Sequence, residues 1–126
     1  MNAAKGGCRD LRERLKDYSL RIIRLHCALP KTRPARVLGG QLLRSGTSAG
    51  AHHREGTRAR SSAEFISKME VGLQELEETA YWLELLVGSG AVPEAQRRGL
   101  MGETDELIAI FTASVKTAKR TLNAKR

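Results

Sequence analysis

Leu11, Leu15, Tyr18, Ile22, Leu25 and Leu29 follow one another at alternating steps of four and three residues. That rhythm puts all six on one face of a helix, a seam of the kind that bundles and coiled coils bury. Arg12, Glu13, Lys16, Asp17 and Arg24 fall off the seam, on the solvated side. Asp10 marks the expected start of this helix. Pro30 ends it after about Leu29, because proline disfavours helical backbone at the residue before it. Lys31 to Arg33 then read as a turn.

Pro34 is suited to open a second helix, since the N–H it lacks has no partner in a first turn. Val37, Leu38, Leu42 and Leu43 supply a short apolar face, after which the side chains shrink: Ser45, Gly46, Thr47, Ser48, Ala49, Gly50, Ala51. Each interior glycine weakens a helix by about 0.8–1 kcal/mol relative to alanine. Small residues also let a neighbouring helix approach, and Gly46 and Gly50, one turn apart, read as a close-packing face. The helix is expected to run to about Glu55, with Gly56 ending it and Thr57 to Arg60 forming a loop.

Ser61-Ser62-Ala63-Glu64 has the form of a capping box and opens a third helix. Its seam is Phe65, Met69, Leu73, Leu76, Ala80, Leu83 and Val87, and Gly88 and Gly90 close it. Pro93 opens a fourth, with Leu100, Thr104, Leu107, Phe111, Ser114, Ala118 and Leu122 at the same spacing. Long helices joined by turns of a few residues pack antiparallel to their neighbours. The expected fold is therefore all-α, an up-down-up-down four-helix bundle. Residues 9–123 form its single domain, between a disordered tail at 1–8 and a flexible one at 124–126.

Composition fits that reading and adds a charge. Aromatic residues are 4% of a 126-residue chain, so the core must be built from Leu, Ile, Val, Met and Ala. The net charge is +8, an excess that favours an anionic partner, although it also serves solubility. It is unevenly spread: 14 basic and 4 acidic residues over 1–60, 1 and 6 over 61–87, and 7 and 4 over 88–126. Cys8 and Cys27 are too few and too unpatterned for a disulfide framework or zinc site, and read as reduced thiols. No apolar run reaches the length of a membrane span, and the first residues lack a signal-like stretch, so a cytoplasmic location is expected.

The second helix carries a recognisable stretch. Leu42-Leu43-Arg44-Ser45-Gly46-Thr47-Ser48-Ala49-Gly50-Ala51, followed by Arg54-Glu55 and Arg58-Ala59-Arg60-Ser61, resembles the four-helix bundle protein family. Its members include proteins encoded by intervening sequences within large-subunit ribosomal RNA genes. Ala63-Glu64-Phe65-Ile66-Ser67-Lys68, Glu78-Thr79-Ala80-Tyr81-Trp82-Leu83-Glu84-Leu85-Leu86 and the run Glu106 to Arg120 extend the likeness over nearly the whole chain. The resemblance implies a homo-oligomer, a pentamer by the family's habit. It also implies kinship with the accessory variability determinant of diversity-generating retroelements, a basic bundle that associates with a reverse transcriptase and with nucleic acid. His52-His53 stand where the family pattern has Asn-Tyr.

Arg54, Arg58 and Arg60 approach the start of the third helix, where free N–H groups and the helix dipole favour anions. A solvated loop, its arginines paired with Glu55, Glu64 or another subunit's acidic helix, accounts for them as well. Lys116, Lys119 and Arg120 share one side of the fourth helix and would extend a phosphate-tracking stripe. Cations near a helix C-terminus are also favoured by the dipole alone. With so few aromatics, any nucleic-acid contact is expected to follow the backbone and weaken with salt, not to stack bases.

His52 and His53 point about 100° apart on a helix and cannot readily share an ion, and His26 beside Cys27 has no further ligands, so no metal is expected. Ser45, Thr47 and Ser48 lack an acid and base at catalytic spacing, and no phosphate loop is present, so no catalytic residue and no cofactor is assigned. Tyr81 and Trp82 are adjacent and cannot both face one core, so one of them is expected at a subunit interface. The leading expectation is a non-enzymatic oligomeric module that binds nucleic-acid backbone through a basic surface. The alternative is an adaptor or scaffold for a protein partner such as a reverse transcriptase, without nucleic-acid contact.

Overall fold

The computed structural model describes the backbone of residues 3–125 and the side chains of 11–96 and 98–125. Four helices follow in order: α1 (Ala3–Ala28), α2 (Arg33–Thr57), α3 (Ser62–Gly88) and α4 (Glu94–Ala124). They form the expected antiparallel bundle, and no strand occurs among the described residues. α1 begins at Ala3, well before Asp10, as Ala3, Ala4 and Lys5 are good helix formers. The segment read as a tail thus has helical backbone from Ala3 onward, and residues 1–2 lie outside the described residues. At the other end Ala124 closes α4 and Lys125 is its C-cap, with Arg126 outside the described residues.

The helix ends follow local chemistry. Thr32 caps α2, its hydroxyl accepting from the Ala35 N–H at 3.3 Å with Pro34 inside the first turn. Ser61 caps α3 by accepting from the Glu64 N–H at 3.1 Å. The reciprocal half of the capping box is shifted: the Glu64 carboxylate accepts from the Arg60 N–H at 3.0 Å, one residue before the cap. Gly90, at φ 85°, takes the left-handed backbone that turns the chain after α3. The Ala91 and Val92 N–H groups then both reach the Leu86 carbonyl, at 2.9 and 3.2 Å.

Leu15, Ile22, Leu42, Leu76, Leu83, Leu107 and Phe111 are fully buried, each contributing about 1.5–3 kcal/mol of transfer free energy. The buried face of α2 departs from expectation. It consists of Ala35, Gly39, Leu42, Ser45, Gly46, Ala49, His53 and Gly56, whereas Val37 is 59% exposed. A stripe this small draws neighbours inward. A methyl added at Gly46 would sit 2.8 Å from Ile22 of α1, and one at Gly72 of α3 would sit 2.6 Å from the Phe111 ring of α4. Phe111 also reaches across the bundle to His53, with ring centroids 6.3 Å apart.

One hydroxyl from each helix meets in the interior. Thr104 donates to the Leu100 carbonyl (2.8 Å), so its oxygen accepts from the Tyr18 phenol at 2.7 Å. Thr79 donates to the Glu75 carbonyl (2.7 Å) and accepts from Ser45 at 2.8 Å. Tyr18 also faces Thr79, which links the two pairs. Burial pushes the Tyr18 phenol up to about 12.

Candidate nucleic-acid interface

Antiparallel packing carries the C-terminal turns of α2 and α4 and the N-terminal turns of α1 and α3 to one end of the bundle. Arg54, Arg58, Arg60, Lys116, Lys119 and Arg120, far apart in sequence, therefore share that end. They do not share a face. Lys119 is held by Glu70 of α3 at 2.8 Å, which fixes its flank of α4 as the one beside α3. Lys116 and Arg120 project from the same flank, at successive positions around the helix. Lys119 is thus paired with an acidic residue of its own chain.

Arg54 lies on the opposite flank, where α2 meets α1. There, Leu15, Lys16, Ser19, Thr47, Gly50, Ala51 and Arg54 line a groove of about 310 Å³. Arg58, four residues after Arg54 and the C-cap of α2, continues the line of Arg54 to the end of the helix. Arg12, four residues before Lys16, does the same on α1 and is near enough to His53 to act on it electrostatically. Two i,i+4 cation pairs on antiparallel helices thus flank one hollow. Arg12 and Lys16 were legible only as solvated charges off the α1 seam. The matching four-residue spacing of Arg12–Lys16 and Arg54–Arg58 is the one sequence signal that could have joined them.

Several acidic side chains of the bundle are engaged by cations outside this groove. Glu55 takes Lys68 at 3.2 Å and the His52 Nδ1 at 3.2 Å, on the α3 side of α2, and Lys68 and His52 hold its carboxyl below the usual range. Glu103 and Glu106 of α4 grip Arg14 of α1 at 2.7 and 2.8 Å, raising the already basic guanidinium. Glu75 and Glu78 of α3 hold Arg44 of α2, at 3.1 and 2.6 Å, with a similar upward effect, Glu78 being the larger cause. The arginines of the α2–α3 junction are not the partners of Glu55, because Lys68 takes that place. Among the described residues, no ion pair engages Arg12, Lys16, Arg54 or Arg58.

His53 is buried at 5% exposure, its Nδ1 has no hydrogen-bond partner, and burial followed by Arg12 and Arg54 pushes its pKa down. It is a neutral core residue, whereas His52 beside it points toward Glu55. No cluster of three or more His, Cys, Asp or Glu able to hold a metal occurs among the described residues. Ser45 is buried in the hydroxyl layer, and Thr47 and Ser48 donate to the carbonyls of Leu43 (2.7 Å) and Arg44 (2.6 Å). Tyr81 is 54% exposed, and Trp82 is half-buried against the core with its ring 5.3 Å from Tyr81. Cys27 is an exposed free thiol, and the Cys8 side chain lies outside the described residues. No described helix is long and apolar enough to cross a membrane.

With this geometry in place, comparison with known proteins gives a consistent answer. The family model of the 23S rRNA-intervening sequence protein matches residues 10–113. A solved protein of unknown function from the S23 ribosomal protein family of Bacteroides thetaiotaomicron VPI-5482 superposes with a TM-score of 0.80 at 33% identity. The match covers 84% of this chain and 98% of that one. No curated protein matches the sequence.

Proposed function

The chain belongs to the 23S rRNA-intervening sequence protein family, and from that premise we propose that it is a non-enzymatic, homo-oligomeric helical module that holds nucleic-acid backbone at its basic end. One observation carries the reading. Lys16 and Arg54 line a groove whose lining holds no acidic residue, Arg12 and Arg58 follow them one helical turn along, and Glu55, Glu70, Glu75, Glu78, Glu103 and Glu106 are taken by other cations. Unneutralised cations on a convex helical surface attract phosphates without reading sequence. Arg60, Lys116 and Arg120 at the same end enlarge the positive field that would guide a polyanion in.

Fluorescence anisotropy with RNA and DNA probes at several salt concentrations tests this. The logarithm of the affinity should fall linearly with log salt, each phosphate contact adding about 0.7 to 0.9 to the slope. Arg58→Glu/Arg60→Glu should weaken binding at every salt concentration. Absence of binding at low salt would leave the adaptor reading, in which the basic surface docks a protein; a double variant that binds as the parent does would move the nucleic-acid site away from Arg58 and Arg60.

A further inference from the structure

The groove between α1 and α2 has a shape as well as a charge. Gly50 makes its floor: a methyl there would lie 3.6 Å from the Leu15 Cβ and 3.6 Å from the Ser19 hydroxyl, so the two helices are in contact along this line. Beyond that contact the walls are built of Ser19, Thr47 and Ala51, none of which fills the space above. Lys16 stands on one wall and Arg54 on the other. Acidic Glu13 and Asp17 are on the solvent-facing side of α1 and do not enter the lining of the groove.

The hydrogen-bonding groups narrow the ligand. Ser19 donates its hydroxyl proton to the Leu15 carbonyl at 2.9 Å, and Thr47 donates to the Leu43 carbonyl at 2.7 Å. The floor therefore offers no spare donor, and only the cations on the walls can grip an anion. No aromatic side chain lines the groove, so bases have nothing to stack on. A site of this kind recognises charge repeated along a chain and ignores what the chain carries.

We propose that a single sugar–phosphate strand seats in this groove, its phosphates straddled by Lys16 and Arg54, with Arg12 and Arg58 at the open end. The inference rests on the backbone-binding reading above and assigns it a place. Lys116, Lys119 and Arg120, on the far side of α3, then contribute to long-range attraction and not to contact. The ligand is a phosphodiester chain, either free or as one strand of a duplex.

Filling the groove without altering charge separates the seat from the field. Ala51 is exposed and helical, and leucine is nearly as good a helix former as alanine, so Ala51→Leu should keep the fold while occupying the hollow. Gly50→Ala is a milder variant that adds only ordinary van der Waals contacts. Binding of a labelled oligoribonucleotide, single-stranded and as a duplex, would be measured for both and for Lys16→Ala/Arg54→Ala. Ala51→Leu should weaken affinity by about tenfold or more with an unchanged melting temperature. The double alanine variant should lower the salt slope by about 1.4 to 1.8, the share of two phosphate contacts.

If Ala51→Leu and the double alanine variant bind like the parent while Arg58→Glu/Arg60→Glu does not, the seat is elsewhere and the backbone-binding function stands. If the parent itself does not bind at low salt, both fall together. A greater loss with the single-stranded probe than with the duplex identifies the free strand as the natural occupant; equal losses identify a duplex edge.

Discussion

The Tyr18 phenol donates to the Thr104 hydroxyl across 2.7 Å, tying α1 to α4 in the middle of the bundle. α1 and α4 approach each other less closely than the other neighbouring helices, and Arg14 also bridges them to Glu103 and Glu106. A buried donor left without a partner costs about 1–3 kcal/mol, more than the bond itself contributes. Thr104→Val leaves the Tyr18 O–H only Thr79 as an acceptor and should destabilise by up to that amount. Tyr18→Phe spares Thr104, which still donates to Leu100, and should cost about 1 kcal/mol. The double variant should cost less than the sum of the two in urea titrations. Strict additivity would mean the hydroxyls do not act as a pair.

The same phenol predicts an alkaline limit. Its pKa is raised from 10.0 to about 12 by burial, so the folded state prefers the protonated form. Stability from this group is fully present below the unfolded value of 10.0 and is lost as pH rises toward about 12. Tyr18→Phe should flatten that decline.

Glycine substitutions should divide by location. Gly40 and Gly102 have nothing within 4 Å of an added methyl, so alanine there should stabilise by about 0.8–1 kcal/mol through helix propensity. Gly72 faces the ring of fully buried Phe111 at 2.6 Å, and Gly46 faces Ile22 at 2.8 Å. Overpacking of about 1–3 kcal/mol should exceed the propensity gain at both. Thermal melts of the four alanine variants would check the split, and a stabilised Gly72→Ala would contradict the close approach of α3 and α4.

How much of this was legible depends on which link of the chain is asked for. The Leu15–Tyr18–Ile22 seam, the cap at Ser61 and the turn after Gly88 and Gly90 are local, and their spacing and residue type suffice to place them; the Thr32 cap, read only as turn, emerged with the structure. The Ser45–Gly46–Ala49 stretch announced a close helix contact for the same reason. Val37 was misplaced because four apolar residues in one and a half turns fit more than one face, and the small residues after them decided which was buried. His53 was hidden by its neighbour: a histidine pair reads as polar surface, and only the position of Phe111 makes one ring core. The groove was illegible for a deeper reason. Lys16 and Arg54 are brought together by how α1 and α2 register against each other, which periodicity within either helix does not encode. The pairing of Lys119 with Glu70 depends likewise on the register of α3 against α4.

His53 gives an acidic limit. Burial, then the nearby charges of Arg12 and Arg54, hold its pKa below the usual 6.5, and Phe111 of α4 closes off the ring without offering a counter-charge. The unfolded chain therefore binds a proton more readily than the folded one. Stability should be full above 6.5 and decline as pH falls from there toward the depressed folded value. His53→Leu also removes the unpartnered Nδ1 and should flatten the decline. Chemical denaturation across mildly acidic pH would read the difference; parallel curves for parent and His53→Leu would assign the acid sensitivity to another group.

The proposed assembly is testable at Tyr81. It is 54% exposed, its ring lies 5.3 Å from half-buried Trp82, and Val71, one of the other exposed apolar residues, lies on the same helix. α3 is also the acidic helix of a basic chain, with Glu77 and Glu84 exposed, so an identical subunit offers it both apolar and cationic surface. Exposed ion pairs are worth only about 0–1 kcal/mol each and would set orientation, leaving affinity to the aromatic pair and its neighbours. A charge placed there should therefore be far more damaging than salt. Tyr81→Glu should reduce the mass measured by light scattering toward that of one chain, Tyr81→Phe should not, and raised salt alone should leave the parent assembled. A parent that runs as a single chain at high protein concentration, or a Tyr81→Glu variant of undiminished mass, would remove α3 from the interface.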